Sequence, residues 1–391
     1  MRPTIDLEHL GLDTGGHLLL NHALAGLPTG GRLGVLGSHP DLRLHLRAWC
    51  RAHGHDLDQR DALPVVVKGS AGSDRWTGAV RAGRADAPAS YADRRWGLAA
   101  RGALVEAGGP PLSVDWVDRD LVWAEIAPAL YANAAANQWD PAVAVDWTAT
   151  AEVPTDVEDA VVQVMTYLVE NEQAALVIPA RLLSRLHPHF REVMQLLATQ
   201  VADEARHVEI FTRRALLHRD ELGVSGVGGR SSLQSLLDEH DFTLASFLLS
   251  VLGEGTFLDL LRFLNRYAPD PVTAQVSQLA GRDEARHVAF GVAHTAHLVH
   301  TDPTFLHKLR SAVERRHAVL ADTAGLNKQV LDSLILIAAG SWEPAAISRG
   351  WQAVQDLQRA MDEGRRRRLA YIGFPDDEAA EVSALHTRNF M

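Results

Sequence analysis

The stretch whose reading decides the fold is Asp203-Glu204-Ala205-Arg206-His207, and the same five letters, D-E-A-R-H, return at 283–287. Both copies lie inside long segments with helical apolar spacing, and on a helix residues three apart project from one face. Glu204 with His207 and Glu284 with His287 are therefore two matched carboxylate–imidazole pairs. A single E-x-x-H is common as a solvated surface pair. Two identical copies at matched depth in apolar helices call for a shared partner, and a metal pair is the partner that carboxylate and imidazole serve together.

The helices carrying these motifs are delimited by their breakers. The first is expected over 155–186, opened by Thr155 with Glu158 as a capping box, and the second over 188–219 after His187-Pro188. The segment GVSGVGGRSS at 223–232 reads as a flexible crossing with a short helix at 233–239. A third ligand helix is expected over 241–267 and a fourth over 270–300, divided by Pro269 and Pro271. Pro303, Gly325, Pro344 and Gly373 divide the rest into three or four more helices.

Hairpin arithmetic supplies two further carboxylates. Glu204 lies fifteen residues past His189, and fifteen residues before His187 stands Glu172. Glu284 lies fifteen residues past Pro269, and fifteen before it stands Glu254. At ~1.5 Å rise per residue all four sit about 22 Å from their turns, at one level. Glu172, Glu204, His207, Glu254, Glu284 and His287 are thus expected to converge as metal ligands. Four buried carboxylates are tolerable only beside compensating charge, which two divalent ions supply. Asp203 and Asp283 are placed to receive the free N–H of a metal-bound imidazole, each from the opposite hairpin, with Arg206 and Arg286 supporting them.

Composition narrows the alternatives. The chain has 391 residues and a formal charge of −11, without the clustered positive charge that phosphate binding needs, so no nucleic-acid partner is expected. The one basic run, Arg365 to Arg368, reads as a solvated helix end. No uninterrupted apolar run approaches a membrane span of about 18 residues, and Met1 to Leu12 lacks the pattern of a signal peptide. A cytoplasmic protein without a membrane partner is expected. One cysteine, Cys50, excludes an internal disulfide and any cysteine-built metal cage.

The order Glu, about thirty residues, D-E-A-R-H, written twice over 155–300, resembles the ferritin-like di-iron carboxylate superfamily, notably bacterial multicomponent monooxygenases, acyl carrier protein desaturases and arylamine N-oxygenases. The closing ALHTRNFM is also similar to the end of actinobacterial ferritin-like proteins of unassigned role. The resemblance implies a mainly α chain: a four-helix bundle with a long crossover and additional C-terminal helices. It implies two iron ions, or manganese alone or mixed with iron, with dioxygen as co-substrate. It also implies an oxidase or monooxygenase acting on a small organic substrate, by hydroxylation or N-oxygenation before desaturation, with the oxygen chemistry on the Glu254 and Glu172 side. The competing reading is a ferroxidase or iron-storage module without an organic substrate. An electron-donor protein and a homodimer are the partners left open. Two departures matter: Phe211 stands where the similar ribonucleotide reductase radical subunit has a tyrosine, and Ala280 stands where arylamine N-oxygenases add a histidine.

Beside the ligands, Ala175, Ser250, Gly253, Gly255, Ala280 and Gly291 are small, leaving either volume or room for close helix packing. Gly253 and Gly255 weaken the helix around Glu254, as suits a bulge that lets a ligand shift. Phe211, Phe247 and Phe257, with Gly253, Ala175 and Ala280, form the expected substrate chamber.

Ahead of the bundle, residues 1–75 read as a small α/β domain of β-α-β-α-β order, and 76–150 as a connector with one helix; the helical domain fills 151–391. The front stretch LGLDTGGHLLL resembles TusA/SirA-like sulfur carriers, but Asp13-Thr14-Gly15-Gly16 replaces their Cys-Pro pair, so sulfur carriage is not implied. Cys50 is expected to be buried and inert.

Overall fold

The computed structural model describes residues 3–60, 62–72, 75–149, 151–321 and 328–387. The chain divides into two compact units, one of residues 1–82 with 102–110, the other of residues 83–101 with 111–391.

In the first unit, β1 (Thr4–Asp6), α1 (Gly16–Ala25), β2 (Arg32–Leu36), α2 (Leu42–Ala52), β3 (Asp56–Asp58) and β4 (Val65–Val67) build a sheet of order β1-β2-β4-β3. β1 and β2 are parallel with Thr4 opposite Gly34, and the remaining pairs are antiparallel. The expected β-α-β-α-β order lacks β3, a three-residue edge strand whose only apolar residue, Leu57, is flanked by two aspartates. So short and polar a strand has almost no alternation to read. An antiparallel pair of β5 (Val80–Arg81) and β6 (Leu104–Val105) completes the unit. Leu20, Leu46, Trp49, Cys50 and Val66 fill its core. Cys50 is buried, and burial, with Asp56 adding to it, pushes its thiol up to about 11, which disfavours the thiolate.

The second unit is helical: α3 (Ala127–Ala136), α4 (Thr155–Ser184), α5 (Arg191–Ala215), α6 (Val227–Leu237), α7 (Phe242–Arg266), α8 (Pro271–Thr301), α9 (Phe305–Ala321), α10 (Lys328–Ala339), α11 (Pro344–Ile372) and α12 (Asp376–Thr387). The mainly α architecture with helices beyond a four-helix bundle is the one the doubled motif led us to expect. The α4/α5 hairpin turns at His187-Pro188-His189, where the His187 ring caps the His189 amide, and Asp270 caps α8 through the Thr273 amide at 2.8 Å. The last four residues of ALHTRNFM and the Gly325 break lie outside the described residues.

Three expectations need correction. Glu158 does not cap α4, whose N-cap is Pro154. It is buried and grips Arg214 at 2.7 and 2.9 Å, and Arg214 also donates to Asp270 Oδ2 at 2.6 Å and Thr273 Oγ1 at 2.7 Å, tying α4, α5 and α8 together. The GVSGVGGRSS segment is helical from Val227, because Gly228 and Gly229 are buried and serve packing rather than flexibility. The basic run on α11 is not wholly solvated: Arg365 and Arg368, three apart, face inward, onto Thr256 Oγ1 and the Val251 carbonyl, while Arg366 and Arg367 face water.

Helix α7 is apolar and long enough to cross a membrane by composition, although its sequence holds no uninterrupted span; most of it is buried inside the bundle. Its middle, Phe247–Glu254, is a π-helical stretch, a widened turn of the kind Gly253 and Gly255 pointed to. Gly255 sits so near Arg368 that an added Cβ would stand 2.5 Å from the guanidinium, and one on Gly291 would stand 2.6 Å from Ser250 Cβ. Both glycines therefore serve close packing.

Two apolar cores occupy the ends of the bundle. One holds Ile178 and Leu182 of α4, Leu197 of α5, Leu252 of α7 and Phe290 of α8. The other holds Tyr167 and Leu168, Phe211, Phe257 and Ala280 of the same four helices. On each helix the residues between the two cores are the carboxylates and imidazoles singled out in the sequence.

Candidate metal centre

The six side chains meet at that level. Glu172, Glu204, His207 and Glu284 form one group and Glu204, Glu254, Glu284 and His287 a second, each with ligand atoms within 4.8 Å of one another. Glu204 and Glu284 belong to both groups, which is the place of carboxylates shared between two ions. All six are at most 5% exposed. His207 Nδ1 lies 3.1 Å from Glu204, 3.4 Å from Glu284 and 3.5 Å from Glu172. His287 Nδ1 lies 2.9 Å from Glu204 and 3.4 Å from Glu284.

The donor set fits a pair of cations. Glu172 Oε1, Glu204 Oε1, Glu254 Oε2, Glu284 Oε2 and His287 Nδ1 are buried without a hydrogen-bond partner, although His287 Nδ1 and Glu204 Oε1 are close. Lone pairs crowded together and pointing at one another, not at donors, are what metal ligands present. Without ions, protons must supply the positive charge. Burial, then Glu204 and Glu284, pushes Glu172 well above the usual carboxylate range, and burial, then Glu284, does the same to Glu254. Burial opposes charge on both imidazoles, but Asp283 and Glu172 around His207, and Glu204 and Glu284 around His287, hold them protonated well above the ordinary histidine range. Burial likewise works against the Glu204 carboxylate, and His287 and His207 keep it below its usual range. Two divalent ions would displace this proton inventory.

The surrounding aspartates are crossed between the two hairpins. His207 Nε2 faces Asp283 Oδ2 at 3.4 Å and His287 Nε2 faces Asp203 Oδ2 at 3.2 Å. With Nε2 so engaged, Nδ1 of each ring is the atom turned to the centre. Arg206 bonds Asp203 and reaches Asp283 at 3.3 Å, while Arg286 bonds Asp283 and reaches Asp203 at 3.1 Å. The two motifs are thus locked to each other by a reciprocal square of two aspartates and two arginines.

Several partners of this network were not read from the sequence. Trp139 Nε1 donates to Asp283 at 2.8 Å, and Gln138 accepts from Arg206 at 2.6 Å. Gln200 Nε2, four residues before Glu204, donates to Glu254 Oε1 at 3.0 Å. The first two follow α3, where Trp139-Asp140-Pro141 reads only as a break. Gln200 does stand on the ligand face one turn before Glu204, so helical spacing alone could have found it.

The expected substrate chamber divides. Ala175, Gly253 and Phe257 line a cavity of about 30 Å³ with Glu172, Glu254 and Glu284. Phe211, Phe247 and Ala280 do not line it; they are fully buried in the two apolar cores. Phe211 lies one turn after His207 and Ala280 one turn before Glu284, so both share the ligand face but fall a turn away along the bundle, and Phe247 lies in the opposite core. Asn171, Leu233, Leu236, Leu249 and Arg316 complete the lining, the last from α9.

Neither a family model nor a curated protein matches the chain. Among solved structures it is similar to a variant of an R2-like ligand-binding oxidase with an anaerobically reconstituted Mn/Fe cofactor, at 16% identity over 64% of this chain and 95% of that one, with a TM-score of 0.47. A second variant of that oxidase, aerobically reconstituted with Mn/Fe, is similar at 18% identity over 66% and 94%, with a TM-score of 0.43. The chain's own geometry gives the conclusion: a buried four-carboxylate, two-imidazole centre suited to two cations, held between two helical hairpins.

Proposed function

We propose that the chain is a non-haem dinuclear-metal oxidoreductase, with two iron ions or a manganese–iron pair, that uses dioxygen to oxidise a small organic substrate by hydroxylation or N-oxygenation. The observation that carries this reading is the sharing of Glu204 and Glu284 between two ligand groups of matched composition. Carboxylate and imidazole donors suit such redox-active ions, which when bound supply the electrons for oxygen reduction.

The chain's residues do the rest. Glu204 and Glu284 would hold the ions together, with Glu172 and His207 completing one end and Glu254 and His287 the other. Asp203 and Asp283 orient the imidazoles and keep Nδ1 free of a proton once the ions are bound. Glu172 and Glu254 both reach the cavity, so the substrate side is the side of these two carboxylates. Gly253 contributes no side chain beside Glu254, and the π-helical stretch ending at Glu254 gives that residue a backbone less tightly laddered than an α-helix, suited to a carboxylate that changes position. Leu233, Leu236, Leu249 and Phe257 exclude bulk water. An external electron donor would return the centre to its reduced state.

The test is anaerobic loading with Fe(II), alone and with Mn(II), followed by metal analysis and oxygen uptake. Two ions per chain and one dioxygen consumed per pair of ferrous ions are expected. Uptake of many irons per chain would replace this reading with storage.

A further inference from the structure

Arg316 of α9 is 7% exposed, yet only its Nη2 is engaged, donating to Ser232 Oγ at 2.7 Å and to the Ser232 carbonyl at 3.4 Å. Its Nε and Nη1 are buried without a partner, and no carboxylate among the described residues forms an ion pair with it. Burial lowers it to about 10, which leaves it a cation at neutral pH. A buried guanidinium with free donors and no counter-charge is strongly disfavoured unless something anionic completes it.

The position says what that would be. Arg316 lines the 30 Å³ cavity together with Glu172, Glu254 and Glu284, and it also lines a cleft of about 590 Å³ with Val227, Gln234, Arg315 and Val319. It is the residue common to the two linings. Two dications set against the four carboxylates leave no net negative charge in the cavity to offset Arg316, and its unpartnered donors suit an anion in the loaded protein. Apart from Asn171, whose amide donates to the Tyr167 carbonyl, the other walls of the inner cavity, among them Leu233, Leu236, Leu249 and Phe257, are apolar.

We infer that Arg316 is the substrate-anchoring residue of this site, and that the substrate is an organic carboxylate whose anionic group binds the free Arg316 donors while a short apolar end points to Glu254. This rests on the proposed dinuclear oxidoreductase and names the class of its substrate. The cavity is about the size of one water, so only the reacting end of the molecule enters it, and any larger body stays in the cleft between α6 and α9.

The test is calorimetric and thermal-shift titration of the loaded protein with acetate, butyrate and hexanoate against ethanol, butanol and hexanol, in the parent, Arg316→Met and Arg316→Lys. Metal content is measured on each sample. The parent should bind at least one carboxylate and not the matching alcohol. Arg316→Met should lose about tenfold or more of that affinity, with Arg316→Lys between them and two ions per chain in all three. Arg316→Met should also melt above the parent when no carboxylate is present, because an uncompensated buried charge is gone. Equal carboxylate affinity in parent and Arg316→Met, or no carboxylate binding by a parent holding two ions, overturns the assignment. A parent that takes up no metal overturns the dinuclear centre itself, a distinct result.

Discussion

Asp283→Asn isolates what the crossed aspartates contribute. Asp283 receives His207 Nε2 at 3.4 Å and Trp139 Nε1 at 2.8 Å, and it is bonded by Arg286 and approached by Arg206. Burial works against its charge, but His207 and Arg286 hold the carboxyl well below its usual range, so it is an anion in the folded protein. Asparagine keeps the shape and one acceptor oxygen but removes the charge that makes His207 a stronger ligand. Loss of such a partner lowers metal affinity by about 10- to 100-fold, or ~1.4 to 2.7 kcal/mol. Because His207 belongs to the group with Glu172, the weakened ion is that one; Asp203→Asn should weaken the ion on the Glu254 and His287 side instead. Competition titration against a chelator of known affinity, followed through both binding steps, measures this. Parent-like affinity in both steps for Asp283→Asn would refute the crossed arrangement as a determinant of metal binding.

Arg214→Met leaves Glu158 and Asp270 buried without their cation and should destabilise the protein by about 3 to 5 kcal/mol in urea unfolding at pH 7. Burial pushes Asp270 up, but Arg214 and Thr273 hold it below its ordinary value in the parent, so its stabilising contribution is present above about pH 4 and is lost as pH falls through the folded value; the gap between parent and variant should narrow in acid. Gly291→Ala places a methyl 2.6 Å from Ser250 Cβ in the π-helical stretch, so α7 and α8 must separate, at about 1 to 3 kcal/mol in thermal or urea unfolding. Unchanged stability there would mean that the two helices are not held in contact. Gln200→Leu removes the donor to Glu254 Oε1, while Gln138→Leu touches only the outer arginine square; the first should alter oxygen uptake more than the second.

The centre was legible in the sequence because hairpins convert spacing into depth. Two turns and a constant rise per residue were enough to bring Glu172 level with Glu204 and Glu254 level with Glu284, and the doubled pentapeptide carried the crossed aspartates along with it. Glu158 shows where such reading stops. Its place three residues after Thr155 satisfies a local capping pattern, but the buried Arg214 on another helix claims it, and that partner lies 56 residues away. Arg316 and Trp139 were missed for the same reason, since nothing in their own neighbourhoods distinguishes them from residues of ordinary helices and loops. Gly253 and Gly255 announced a weakened helix around Glu254, yet only the structure separates them: Gly255 packs against Arg368, while Gly253 has room beside it.

Metal analysis of the loaded protein with Glu204 and Glu284 replaced bears most directly on the shared centre. Two ions per chain in the parent, one in Glu172→Ala and none in the double variant Glu204→Ala/Glu284→Ala, each with the circular dichroism of the parent, is the predicted result. Two ions retained by the folded double variant, or none in the parent, would contradict it.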